Sequence, residues 1–135
     1  MGPSLWNTAL AAGPATYLDP RLSDAPELEQ KGSIDGKLNP CGKETVEFLL
    51  KLIGAREVTC LSPRDHFKGK KMIVASGFVG ETNLNVEMVR NGWAISDHEG
   101  MDSWEIIARE NKRGLWRGQF IVPGRWRMGD RLPGE

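Results

Sequence analysis

Residues 23–30 read SDAPELEQ, with Asp24 and Glu27 on either side of Ala25-Pro26. Proline fixes its own φ and drives the residue before it into an extended conformation, so the stretch is a stiff turn presenting two carboxylates at a set separation. Carboxylates held this way suit a hard divalent cation, which takes oxygen ligands, or the activation of a water by a general base. They equally suit the polar start of an ordinary turn, and the residues themselves leave both readings open. A second group lies in the loop SPRDHFKGK (62–70): His66 is a candidate general acid, and Lys70 with Lys71 either holds phosphate or is plain loop charge. Trp93, Trp104, Trp116 and Trp126 are candidate base-stacking platforms, though their spacing fits packing better. Arg109 and Arg113, four apart on one helical face, can reach Glu105 or Glu110.

The elements that must position these residues begin late in the chain. Residues 1–40 are broken by Pro3, Pro14, Pro20, Pro26 and Pro40, so only ATYLD (15–19) is expected as a strand there. In NPCGKETVEFLLKLIGA, Asn39 suits a cap, Pro40 the first helical position and Gly54 the stop. Val46, Leu49, Leu50 and Ile53 then give that helix one apolar face. REVTCL (56–61) and KMIVASGFVG (71–80) are expected as strands, the second central or bent around a barrel corner at Gly77. A short helix is expected over 83–91, with Asn83 as cap, Leu84, Met88 and Val89 inward, and Gly92 as terminator. WAIS (93–96) is expected as a brief strand. The helix at 102–114 carries Asp102 and Glu105 at capping-box spacing, with Trp104, Ile107, Ala108 and Leu115 facing a core. The tail, with Trp116, Phe120 and Trp126, is expected to wrap back on the body, since exposed aromatics at that density invite aggregation. The class is α+β.

At 135 residues the chain is one domain with room for a core that needs no metal or disulfide. Eighteen acids balance eighteen bases, which excludes a histone-like polycation. The distribution is uneven: seven Lys/Arg lie between Arg109 and Arg131 against Glu110 and Asp130, so the C-terminal region is basic. No apolar run reaches the roughly 20 residues of a membrane span. The start holds a short semi-apolar stretch and Ala9-Leu10-Ala11 without a positive leader, the look of a decayed export signal, so cytoplasmic and exported locations both stay open. Cys41 and Cys60 either pair in an oxidising compartment or remain buried thiols. With no CxxC and no close histidines, no zinc site is expected.

Taken in order, DAPE followed by Gln30, a helix ending in glycine, V.C, a D.(Y/F)G(R/K) loop, an apolar strand, LN..MVR.GWA and E..AR....GLW.G.F..P..WR resemble the staphylococcal-nuclease-like (thermonuclease) family from Asp24 to Arg127. They look especially like its bacterial branch, some of whose members carry a succinoglycan (exopolysaccharide) biosynthesis label. The resemblance implies an OB-type five-stranded barrel with three helices, and Ca²⁺-dependent hydrolysis of phosphodiester bonds in DNA and RNA. It divides the chain into an irregular segment 1–23, a nuclease-like domain 24–127 and a tail 128–135.

Carried over residue by residue, Glu27 matches the family's general base and Asp24 one of its calcium carboxylates. Two phosphate-gripping arginines are expected, since a guanidinium fork answers the charge that develops in the transition state. Arg21 stands three residues before Asp24 where the family has five. On an extended strand that shortfall moves a side chain by about 7 Å, which makes Arg21 a displaced substitute. In DHFKGKK the place of the second arginine falls to Lys70, which keeps the charge and loses the fork. The family's further calcium aspartate sits in a D-G-D turn; here the sole upstream acid is Asp19, beside a proline. The N-terminal barrel strands are thus expected to be shortened or missing, with the open edge covered by another part of the chain or by a second copy in a homodimer. Two functions follow. The first is a nuclease-like module with a degraded site, non-catalytic or weakly active, that binds single-stranded nucleic acid through its basic C-terminal region or binds another partner. The second is a working Ca²⁺-dependent nuclease.

Overall fold

The computed structural model describes residues 15–18, 24–61, 72–96 and 102–135. In chain order the strands are β1 (Ala15–Leu18), β2 (Gly32–Ile34), β3 (Lys37–Asn39), β4 (Thr59–Leu61), β5 (Met72–Val79), β6 (Thr82–Asn83) and β7 (Gln119–Phe120). The helices are α1 (Cys41–Ile53), α2 (Leu84–Arg90), α3 (Asp102–Glu110) and α4 (Pro123–Arg127), with a 3₁₀ turn at Gly114–Arg117. One sheet runs β1-β5-β4, β1 parallel and β4 antiparallel to β5, with β6 also paired to β5. The other runs β3-β2-β7, both pairings antiparallel. The class is α+β as expected, but among the described residues these sheets do not close into a barrel.

The hairpin β2–β3 falls in a stretch expected to be irregular, although Asp35-Gly36 is its signal. Both residues have positive φ, 51° and 78°, the conformation that lets a two-residue turn follow the twist of its strands. By forming β3 up to Asn39, the hairpin also alters the start of α1. Asn39 does not cap the helix; its Nδ2 donates to Glu44 Oε1 at 2.7 Å, and Pro40 is the cap residue. The buried face of α1 differs from the expected one: Cys41, Thr45, Leu49 and Ile53, four apart, point inward, while Leu50 is 52% exposed. Thr45 can lie inside because its hydroxyl donates to Cys41 O at 2.7 Å. Gly54 closes the helix as expected, with φ of 60°.

α2 follows its sequence closely. The Asn83 side chain accepts from Val86 N, and Leu84, Met88 and Val89 are fully buried. They meet Leu49 and Ile53 of α1, Val79 of β5, Ala94 and Ala25 in one core, with Phe48, Trp93 and Trp104 packed at its margin. α3 stops at Glu110, short of the expected end, because Lys112 turns left-handed (φ 49°) and Arg113 N bonds back to Ala108 O. Ala108 and Leu115 are buried as expected, but Ile107 is 37% exposed. Glu105 accepts from Ser96 N at 2.9 Å, which ties α3 to the loop after α2. WAIS contributes only a single bridge, between Ile95 and Asp24, in place of a strand. Cys41 is a free, buried thiol, the second of the two readings open for it in the sequence.

Candidate functional site

The SDAPELEQ turn is built into the core. Asp24 N donates to Ile95 O at 2.8 Å and Ile95 N returns a bond to Asp24 O at 2.9 Å, so this isolated bridge fixes the backbone at the first carboxylate. Ala25 and Pro26 next to it are fully buried. Beyond Glu27 the chain turns at once, Gln30 N donating to Glu27 O at 3.0 Å. Gln30 is itself fully buried and bonded at every polar atom of its side chain: Oε1 accepts from Glu27 N and Nε2 donates to Ile121 O, while its backbone carbonyl accepts from Gly42 N and from the Cys41 thiol. Through its backbone carbonyl Gln30 holds the start of α1, and through its side chain it joins the carboxylate turn to the segment that leads into α4.

That last connection brings in a residue that the sequence patterns mark only as the end of the P..WR motif, with no contact assigned to it. Arg127, at the end of α4, lays its guanidinium across both carboxylates. Nη2 is 2.7 Å from Asp24 Oδ1, Nη1 is 3.0 Å from Asp24 Oδ2, Nε bonds Glu27 Oε1, and Nη2 also reaches Ala25 O at 3.3 Å. The side chains of Arg127, Asp24 and Glu27 are 26%, 13% and 18% exposed, so the contact is largely shielded from water. Hydrogen bonding to Asp24 raises the Arg127 pKa above its already high ordinary value; burial opposes this, and the bond to Glu27 adds to it. The site is thus two carboxylates bridged by one permanent cation, a forked and charge-assisted arrangement. The surplus of arginine over acid near the C-terminus, together with the P..WR motif that ends at Arg127, is the signal in the sequence that a basic residue there has an acidic partner elsewhere in the chain.

A calcium ion on Asp24 and Glu27 would need the oxygens that Arg127 already uses, Asp24 Oδ1 and Oδ2 and Glu27 Oε1. Among the described residues no group of three or more acid, His or Cys side chains is placed to hold a metal. With Arg127 in place, the described residues do not offer the ion these three oxygens. Arg21, Asp19, His66, Lys70 and Lys71 lie outside the described residues.

Each of the four tryptophans considered as stacking platforms is partly buried and carries a guanidinium on its ring. Arg117 lies over Trp93 at 5.3 Å, Arg90 over Trp104 at 5.6 Å, Arg109 over Trp116 at 4.6 Å and Arg131 over Trp126 at 3.7 Å. Arg109 pairs with Glu105 as expected (3.5 Å), while Arg113 donates to Arg90 O. Around α2, α3 and the 3₁₀ turn the cations stand outside their acids: Arg90 is 49% exposed against 23% for Glu87, and Arg109 56% against 15% for Glu105. Arg117 over Glu44 repeats the pattern. The family model for staphylococcal nuclease homologues matches residues 21–118, a span that contains Asp24, Glu27 and Lys70 and ends before Arg127. No curated protein matches the chain.

Proposed function

Because the chain belongs to the family of staphylococcal nuclease homologues, we propose that it is a nuclease-like protein whose carboxylate pair has become structural and whose remaining activity is nucleic-acid binding. The observation that carries this reading is the Arg127 guanidinium on both Asp24 and Glu27. A general base must be free to take a proton from water, and Glu27 holds one carboxylate oxygen, Oε1, against a cation that does not titrate. What the protein binds is argued from Arg90, Arg109, Arg113 and Arg117. They are oriented by ring faces, carboxylates and a carbonyl beneath them, and this leaves their remaining N–H groups outward for phosphate. A place in exopolysaccharide (succinoglycan) biosynthesis rests on the sequence resemblance alone.

The test is incubation of labelled single-stranded DNA with Ca²⁺ or with a chelator, beside a Glu27→Ala variant and a salt series of binding. The expected result is no cleavage, with binding that weakens steeply as salt rises and is reduced in an Arg109→Ala/Arg113→Ala variant. Ca²⁺-dependent cleavage that disappears in Glu27→Ala would establish the working nuclease instead.

A further inference from the structure

Resting on that reading of the carboxylate pair, we propose that Arg127 is the pair's resident cation. The C-terminal segment supplies it from within the chain, and it excludes a divalent ion for as long as the segment is docked. Three independent features hold the guanidinium in place. Four of its N–H groups are directed at Asp24, Glu27 and Ala25 O, so its orientation is set at both ends of the turn. The chain leading to it is anchored twice, by β7 against β2 and by the Gln30 side chain on Ile121 O. The chain leaving it is anchored by Glu135, whose carboxylate accepts from Lys31 N at 2.9 Å, Trp126 Nε1 at 2.7 Å and Leu132 N at 3.2 Å. Between these anchors α4 is a five-residue helix, with Arg125 and Asp130 paired at 2.7 Å to fold the chain back.

The chemistry of exchange follows from charge. Two carboxylates and one guanidinium leave a site of net charge −1; without the guanidinium it carries −2 in a partly desolvated turn. Such a turn attracts any hard cation that its oxygens can reach. Arg127 and a divalent ion therefore compete for the same oxygen atoms. The arginine has the advantage of being tethered, so a free ion must displace an intramolecular cation. The cation comes from α4, after the span 21–118 that the family model matches and at the last position of the P..WR motif.

The experiment measures thermal unfolding and Tb³⁺ luminescence in a Ca²⁺ or Tb³⁺ titration of the full chain, without DNA. It compares wild type, Arg127→Ala and Arg127→Ala/Asp24→Asn. Wild-type Tm is expected to ignore Ca²⁺. Arg127→Ala is expected to unfold at lower temperature and to regain Tm progressively as Ca²⁺ exceeds its dissociation constant, with a saturable Tb³⁺ signal that the double variant loses. Should Arg127→Ala be unfolded in chelator, recovery of its circular dichroism on adding Ca²⁺, or on adding methylguanidinium, supports the same conclusion; recovery with neither overturns it. A wild type stabilised by Ca²⁺ as strongly as Arg127→Ala also overturns it, as does a folded Arg127→Ala that ignores the ion. If Arg127→Ala takes up Ca²⁺ here and cuts labelled single-stranded DNA in a separate cleavage assay, the resident cation stands and the non-catalytic reading falls. If it ignores Ca²⁺ and cuts nothing, the resident cation falls and the non-catalytic reading stands.

Discussion

Gly42, in the first turn of α1, sits where a methyl group has no room. A Cβ built on it lies 1.9 Å from Glu27 O, 2.5 Å from Leu28 O and 2.7 Å from Leu28 C. Contacts of a Cβ below 3.0 Å do not occur, so in Gly42→Ala the helix and the carboxylate turn must part by about 1.1 Å. Every obstacle is backbone, and no rotamer change can clear it. The separation also stretches the bonds from Gly42 N (2.9 Å) and Cys41 Sγ (3.4 Å) to Gln30 O. Two effects oppose each other. Alanine is the better helix former by about 0.8–1.0 kcal/mol in a helix interior, and less in a first turn. Overpacking a tight contact costs about 1–3 kcal/mol, and weakening a buried hydrogen bond about 1 kcal/mol more. Sterics win, for a net loss of about 1–3 kcal/mol, or roughly 3–5 °C of Tm for each kcal/mol in a domain of this size. The assay is urea unfolding followed by tryptophan fluorescence, with the midpoint compared at constant slope. Gly124→Ala is the control, since nothing lies within 4 Å of a Cβ there, and its midpoint is expected to stay or rise slightly. A Gly42→Ala midpoint at or above wild type would mean that helix propensity decides and that the close approach of α1 to Glu27 is not as described.

Cys41 and Glu135 give two further tests. Burial, with Glu135 and Glu44 nearby, pushes the Cys41 thiol up to about 12, so it is expected to resist a thiol reagent at pH 8 in the folded protein and to react in denaturant; prompt native reaction at Cys41 would contradict its burial. At Glu135 burial favours the neutral acid, but the donors Lys31 N, Trp126 Nε1 and Leu132 N and the nearby Arg131 outweigh it and hold the carboxyl below its ordinary 4.5. A carboxyl lowered on folding contributes stability above its unfolded pKa, and that contribution is lost as pH falls below 4.5 through the folded value. Glu135→Gln is therefore expected to be less stable than wild type at pH 7, with the gap closing in acid. A gap that is constant with pH would refute the role given to its charge.

The parts of this fold that are legible in the sequence are those decided within a few residues. Asn83 caps α2 by reaching its own third successor, and Leu84, Met88 and Val89 share a face by helical geometry alone. β5 is an apolar β-branched run, and Gly54 stops α1 with a backbone angle that its lack of a Cβ permits. The turn at Asp35-Gly36 is equally local, but the prolines around it read as an irregular stretch and mask the hairpin. Misjudged faces are another matter. Leu50 and Ile107 have the right spacing for burial, yet whether such a residue lies inside depends on what stands opposite, and Thr45 is buried where its hydroxyl finds a carbonyl four residues back.

The sequence by itself determined that Asp24 and Glu27 would be held rigidly together, because proline geometry acts on its immediate neighbours. It also carried the family, through motifs spread in order along the chain. What those carboxylates face was decided only by the tertiary structure. Arg127 is separated from Asp24 by 103 residues and from Glu27 by 100. It arrives there because β7 pairs with β2, Gln30 captures Ile121, and Glu135 anchors the chain beyond α4. No periodicity or spacing encodes a contact of that range. It is the joint result of a sheet register, a buried amide and a short helix, each of which settles only when the others are in place.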